Sequence, residues 1–260
     1  MTDAQPRLHT ELVGAAGAER LVLLHGFTQN GRCWGRFAED LARDHELAMV
    51  DLPGHGGSAH VEADLTTAAD LVLEAGGRGT YVGYSLGGRV ALHAALRRPD
   101  LVARLVLIGA TGGIDDEADR EDRCRADELL AYRIEEIGVA QFVDEWLAQP
   151  LFSGLTREAA AVPARLHNTP GGLASSLRST GTGTQEPLWD QLGAVGVPVL
   201  VMTGVDDVKF SALGTRLARA VGPNATVALV PRSGHSTPFE NPADSASIIR
   251  RWLRTHPIAP

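Results

Sequence analysis

The 260-residue chain carries 24 basic and 32 acidic side chains, for a formal net charge of −8, with 44% of its positions hydrophobic and 22% charged. That balance suits one large globular α/β domain with room for an insertion. It excludes wholesale disorder, a collagen-like repeat and a coiled coil, and it lacks the basic footprint of a nucleic-acid binder.

No apolar run reaches the roughly 18–20 residues needed to span a bilayer. The N-terminal stretch MTDAQPRLHTEL has no basic-then-apolar leader. Cys33 and Cys124 follow neither metal nor disulfide spacing. The expected setting is a reducing cytoplasm. Lys209 is the only lysine in a chain whose other basic residues are all Arg.

Short apolar runs bounded by Gly, Pro or polar residues lie at 20–26, 46–52, 80–85, 104–110, 197–203 and 226–231. Continuous runs of this length suit strands buried on both faces. Helical patterns fall between them near 34–43, 64–75, 86–98, 210–221 and 241–254. Strand–helix alternation predicts an α/β fold with a mostly parallel, doubly wound sheet.

The alternation breaks once. From about 112 to 190 there is no strand pattern. Residues 115–136 are densely charged and 139–147 are amphipathic, with further helical stretches around 156–167 and 171–179. Most charges of the first stretch are expected on a solvated helix face. The expected organisation is a core of residues 1–111 and 191–260, with a helical cap at 112–190 inserted between two strands. Short tails are expected up to about Pro6 and after about Thr255.

Gly83-Tyr84-Ser85-Leu86-Gly87 reads G-x-S-x-G, directly after one predicted strand and directly before a predicted helix. A turn this sharp forces its central residue into strained backbone angles and needs small neighbours. A serine hydroxyl is weakly acidic and needs a base. His235, in the loop after the last predicted strand, stands where α/β sites form. Asp206 and Asp207 follow the strand before it, and either could orient the imidazole. Oxyanion donors are expected from the backbone N–H groups of Phe27, in the loop after the first long strand, and Leu86. His55, in a tight Pro-Gly and Gly-Gly loop, is read as structural. No dinucleotide fingerprint, P-loop or zinc-protease motif is present, and the Gly/Thr-rich stretch 179–184 lacks a phosphate-holding Lys.

From about Leu21 to Leu253 the chain resembles the α/β-hydrolases. More narrowly, it resembles the 2-succinyl-6-hydroxy-2,4-cyclohexadiene-1-carboxylate synthases of menaquinone biosynthesis. The general pieces are HGFTQN at 25–30, DLPGHGGS at 51–58 and GYSLGG at 83–88. The discriminating pieces are Arg89, Arg120-Glu-Asp-Arg123, the segment from Trp146 to Phe152, Arg165, the stretch from Gly172 to Gln185, and Asp207-Val-Lys209-Phe210.

The resemblance implies that Asp207 is the acid, in the order Ser85, Asp207, His235. It also implies that Tyr84, Arg89, Arg123, Trp146, Arg165 and Lys209 line the substrate pocket. The implied reaction eliminates pyruvate from a carboxylated enolpyruvyl cyclohexene, with the Ser–His–Asp triad acting as base and no metal or organic cofactor. A polycarboxylate substrate fits this set, because Arg forks bind carboxylates bidentately. The alternatives are a serine hydrolase of esters or carbon–carbon bonds and a non-catalytic ligand receptor on the same fold. The expected partner is a small molecule, without nucleic acid or membrane span, and the chain is compatible with a monomer or a dimer.

Overall fold

The computed structural model describes residues 6–258. Residues 1–5 and 259–260, parts of the tails expected at the two ends, lie outside the described residues. Seven strands form one sheet: β1 (Thr10–Gly14), β2 (Arg20–Leu24), β3 (Glu46–Val50), β4 (Gly79–Tyr84), β5 (Val102–Ile108), β6 (Val199–Gly204) and β7 (Ala225–Val230). Their spatial order is β1-β3-β2-β4-β5-β6-β7. All neighbours run parallel except β1, which pairs antiparallel with β3, Thr10 facing Val50.

β1 has no counterpart among the expected strands. It is five residues long and half-exposed at the sheet edge, so it never shows the buried apolar run that marks the others. β4 and β6 are buried at every position.

The helices are α1 (Gly35–Leu41), α2 (Leu65–Gly76), α3 (Leu86–Arg97), α4 (Glu117–Leu147), α5 (Val162–Arg165), α6 (Pro170–Thr180), α7 (Val208–Val221), α8 (Thr237–Glu240) and α9 (Pro242–Thr255). Two apolar layers hold them on the sheet. One joins α2, α3 and α7 through residues such as Val72, Leu92 and Leu217. The other joins α1 and α9 through Phe37, Leu41, Ile249 and Trp252. Caps fix several helix starts, with Asp64, Asp116, Thr169 and Asn241 side chains each accepting a backbone N–H of the first turn.

Between β5 and β6 the helices build a third apolar cluster of their own, in which Ala131, Ile134, Phe142 and Val143 of α4 meet Leu173, Ala174 and Leu177 of α6. The two stretches expected at 115–136 and 139–147 run on as α4 and meet at Gly138, whose φ of 76° and ψ of 171° break the helix. The helix expected over 156–167 is corrected to the four residues of α5. Ala161 sits in the left-handed region, and Pro163 has no N–H to continue an upstream helix. Among the described residues no helix is long and apolar enough to cross a membrane.

The chain passes from β2 outward to β3, then returns to the other side of β2 as β4. The loops leaving the C-terminal ends of β2 and β4 therefore diverge, and a crevice opens between them at this switch point. Phe27 leaves from one side and Ser85 from the other.

Candidate active site

Ser85 stands between β4 and α3 at φ 51° and ψ −109°, a left-handed backbone that side chains rarely adopt. A Cβ on Gly83 would lie 2.4 Å from the Gly87 carbonyl oxygen, and one on Gly87 would lie 2.0 Å from the Leu24 carbonyl oxygen. Only glycine at both flanks lets this turn close against β2. The Ser85 N–H donates to the Ile108 carbonyl at 2.8 Å, which fastens the turn to β5. Leu86 opens α3, so its N–H is one of the first-turn donors that a helix leaves without an internal partner.

His235 is buried in the loop after β7, and its Nδ1 lies 3.0 Å from Asp207 Oδ2. Asp207 caps α7, its other oxygen accepting the Phe210 N–H at 3.0 Å. Asp206 is exposed, and the ion pair with the imidazole is made by Asp207. Burial pushes the Asp207 carboxyl up. The His235 hydrogen bond, the Phe210 N–H and the nearby His235 and Lys209 charges outweigh that and hold it below the ordinary carboxylate value.

The imidazole is packed by the rings of Phe210, Tyr84 and Phe152, at centroid separations of 4.2, 5.4 and 6.4 Å. Gly109, at φ 56°, leaves room for it, since a Cβ there would come within 2.8 Å of His235 Cε1.

Ser85, Leu86, Phe27 and His235 line one cavity of about 340 Å3, together with Tyr84, Arg89, Arg123, Trp146, Arg165 and Lys209. Asp207 stands behind His235, outside this cavity. The sheet with α3 and α7 supplies one wall, and α4, α5 and α6 with residues 149–152 and 181–182 supply the rest. Trp146 packs against Phe27 at 5.2 Å, joining the inserted helices to the loop after β2.

The four cations have unequal surroundings. Arg89 is buried, and its guanidinium donates to the Thr180 carbonyl at 2.7 Å and to the Gly181 carbonyl and Gln185 Oε1, both at 3.3 Å. Burial, reinforced by the Arg123 charge, lowers its pKa to about 10. Arg165 is buried too, donating from Nε to the Ala160 carbonyl at 2.7 Å and from Nη1 to Thr28 Oγ1. Burial likewise lowers its pKa. Lys209, exposed at the mouth, lies 5.8 Å from the Phe210 ring. Arg123 alone is paired, its Nε bonded to the buried Asp127 carboxylate at 2.8 Å. Among the described residues no carboxylate lies within ion-pair distance of Arg89, Arg165 or Lys209.

His55 sits beneath the site, its Nδ1 2.9 Å from the Pro53 carbonyl, edge-on to His25. Burial lowers the pKa of His55 to about 3 and of His25 to about 4, so both are neutral. Tyr84 bonds Ser236 Oγ at 2.7 Å, and burial pushes its phenol well above the usual value.

Two side chains that no motif singles out also serve the site. Asp127 holds Arg123 one helical turn away, an i,i+4 pair visible in the sequence. Glu240 accepts the N–H groups of Gly234 at 2.7 Å and Ser236 at 2.8 Å, bracketing His235 on both sides. Nothing in the local sequence marks Glu240, because its partners are loop amides.

Residues 21–248 match the pattern of the alpha/beta hydrolase family. The chain is 34% identical over 257 residues to the 2-succinyl-6-hydroxy-2,4-cyclohexadiene-1-carboxylate synthase of Serratia proteamaculans (strain 568), covering 95% of this chain and 98% of that one. Among solved structures, MenH from S. aureus superposes with a TM-score of 0.87 at 30% identity, covering 95% of this chain and 98% of that chain. A thermophilic esterase from Thermogutta terrifontis, solved with malate bound, gives a TM-score of 0.81 at 26% identity, covering 96% and 94%.

Proposed function

The chain belongs to the alpha/beta hydrolase family, and within it to the 2-succinyl-6-hydroxy-2,4-cyclohexadiene-1-carboxylate synthases; from that premise we propose that it forms this product by eliminating pyruvate from a carboxylated enolpyruvyl cyclohexene. The observation that carries the reading is the charge of the cavity. Arg89, Arg165 and Lys209 line the cavity that holds Ser85, and among the described residues none has a carboxylate within ion-pair distance; Asp127 acts on Arg89 only from beyond that range. Surface arginines such as Arg97, Arg178 and Arg216 are each matched by an acid. Buried charge without a close partner is costly, so the buried Arg89 and Arg165 are best explained by an anionic ligand that completes them, with the exposed Lys209 adding charge at the mouth. The substrate carries carboxylates on the ring, the succinyl arm and the enolpyruvyl group, and each meets a cation.

In this reading His235, oriented by Asp207, takes up the Ser85 proton and makes its oxygen basic. Ser85 then removes the ring proton next to the succinyl carbonyl. Negative charge moves onto that carbonyl oxygen, where the Phe27 and Leu86 N–H groups stabilise it. The electron pair re-forms a ring double bond, the existing double bond shifts along the ring, and the carbon–oxygen bond to the enolpyruvyl group breaks. The departing enolate takes a proton and leaves as pyruvate. The sequence is redox-neutral, and every proton moves on this chain's own groups or water. The helices α4–α6 act as a cap that brings Arg123, Trp146 and Arg165 over the ligand.

The same three residues could serve ester hydrolysis through an acyl-enzyme, and the Thermogutta terrifontis protein is an esterase. One experiment separates the two readings. Incubation with the enolpyruvyl-ring precursor releases pyruvate stoichiometrically with the diene if the proposal holds. Rapid turnover of simple esters with no pyruvate would replace it with the hydrolase.

A further inference from the structure

Thr28 lies one residue beyond Phe27, fully buried, with φ at 65°. For a β-branched residue this left-handed backbone is a genuine outlier, and it persists only where the surroundings impose it. The turn that carries it is closed by Gln29, whose N–H donates to the Gly26 carbonyl at 3.2 Å and whose Oε1 accepts the Gly26 N–H at 3.0 Å.

The remaining restraints come from α5 and the residues just after it, more than 130 positions away in sequence. Asn168 Nδ2 donates to the Thr28 carbonyl at 2.7 Å. Arg165 Nη1 donates to Thr28 Oγ1. Asn30 Nδ2 returns a bond to the Ala164 carbonyl at 2.7 Å. Asn168 is itself seated on a stiff base, because its Oδ1 accepts the Gly56 N–H at 2.7 Å. That loop is braced by Asp51, which accepts the Gly31 N–H at 2.6 Å and the Gly57 N–H at 2.7 Å.

We infer that Asn168 is a positioning residue: by holding the Thr28 carbonyl it keeps the Gly26–Gln29 turn in its strained form and so aims the Phe27 N–H at the oxygen that becomes negative. The inference rests on the reading of Phe27 as an oxyanion donor given above. It adds that the cap does more than enclose substrate, since closure of α5 on the core and assembly of the oxyanion donors are one event. Arg165 takes part from both sides. With Nε on Ala160 and Nη1 on Thr28, its second amino group remains for a ligand carboxylate.

The test is Asn168→Ala, alone and combined with Thr28→Gly, assayed by pyruvate release and by binding of the reaction product. Glycine adopts the left-handed backbone without steric cost, so it needs no clamp. Asn168→Ala is expected to lower kcat at least tenfold, with KM and product affinity within about twofold of the parent. Because Thr28→Gly by itself removes the Oγ1 acceptor of Arg165, that single variant is the reference for the pair, and on its background Asn168→Ala should change kcat by less than about twofold. An unchanged kcat in Asn168→Ala, a rise in KM alone, or a tenfold loss that persists on the glycine background would overturn the inference, because a residue that merely fastened the cap would behave in those ways. A crystal structure of Asn168→Ala decides the point without any substrate. Thr28 relaxing to negative φ supports the clamp, and Thr28 remaining near its present angle defeats it. Failure of the parent protein to release pyruvate would instead count against the reaction proposed above.

Discussion

Arg89 and Thr180 meet through a 2.7 Å hydrogen bond, one of three that the buried guanidinium makes, all to neutral oxygens. The geometry of Arg89 is thus fixed by α6 and the residues just after it, while the Asp127 carboxylate acts on its charge only from beyond ion-pair distance. Arg165 likewise has neutral acceptors, Ala160 and Thr28.

Replacement of either arginine is expected to reveal that role. Arg89→Ala and Arg165→Ala should each lower kcat/KM for pyruvate release by about 10- to 100-fold, the range for losing a charge-assisted contact. Arg251→Ala, on the exposed side of α9, should stay within about twofold. Steady-state kinetics on the three proteins checks this, and equal effects in all three would remove the carboxylate clamp.

Ser85→Ala should reduce pyruvate release at least about 1,000-fold, because it removes the group proposed to take the ring proton. The folded protein should persist, since the turn at Ser85 is held by backbone contacts and by Gly83 and Gly87. Product binding, followed by calorimetry, should survive as well. Activity near that of the parent would rule out Ser85 as the base.

Glu240→Gln tests how the histidine is held. The carboxylate accepts two N–H groups, one on each side of His235. An amide of the same shape offers one acceptor and one donor, so one contact becomes a clash of N–H groups. A fall in kcat of about tenfold is expected, with KM within about twofold of the parent. A lowered melting temperature with an unchanged kcat would mark Glu240 as purely structural.

The buried histidines predict an acid-sensitive fold. His25 and His55 have pKa values lowered by burial from 6.5 to about 4 and about 3. When the chain unfolds they regain ordinary basicity and bind protons, so their contribution is complete above about pH 6.5 and declines as pH falls toward the folded values. At pH 5 each should have cost about 2 kcal/mol of stability relative to neutral pH. Urea denaturation at pH 7.5 and pH 5.0 measures the difference. Replacing His55 with Gln should shrink it.

Much of the fold is written locally. Buried parallel strands must be continuous apolar runs and surface helices must be periodic, so the positions of β2 to β6 and their helices follow from short windows of sequence; β7 carries the same apolar run, but as the edge strand it leaves Val227 and Leu229 exposed and is not buried on both faces as expected. The turn at Ser85 is legible for a similar reason, because its steric demand falls on residues two positions away. The pair Arg123 and Asp127 is legible as one helical turn. β1 is not, because this half-exposed edge strand, TELVG, carries polar residues where the others carry an apolar run.

Tertiary structure decided everything that depends on distance between remote segments. Two adjacent aspartates differ little in sequence, yet only Asp207 faces His235, 28 positions on. Whether an arginine finds a carboxylate or a bare carbonyl depends on which segment arrives beside it, as Thr180 does for Arg89 from 91 positions away. The hold of Asn168 on Thr28 spans 140 positions and acts through a backbone angle that no residue preference announces. Charge and hydrogen-bond partners are set by which groups share a few ångströms, and that proximity exists only once the chain has folded.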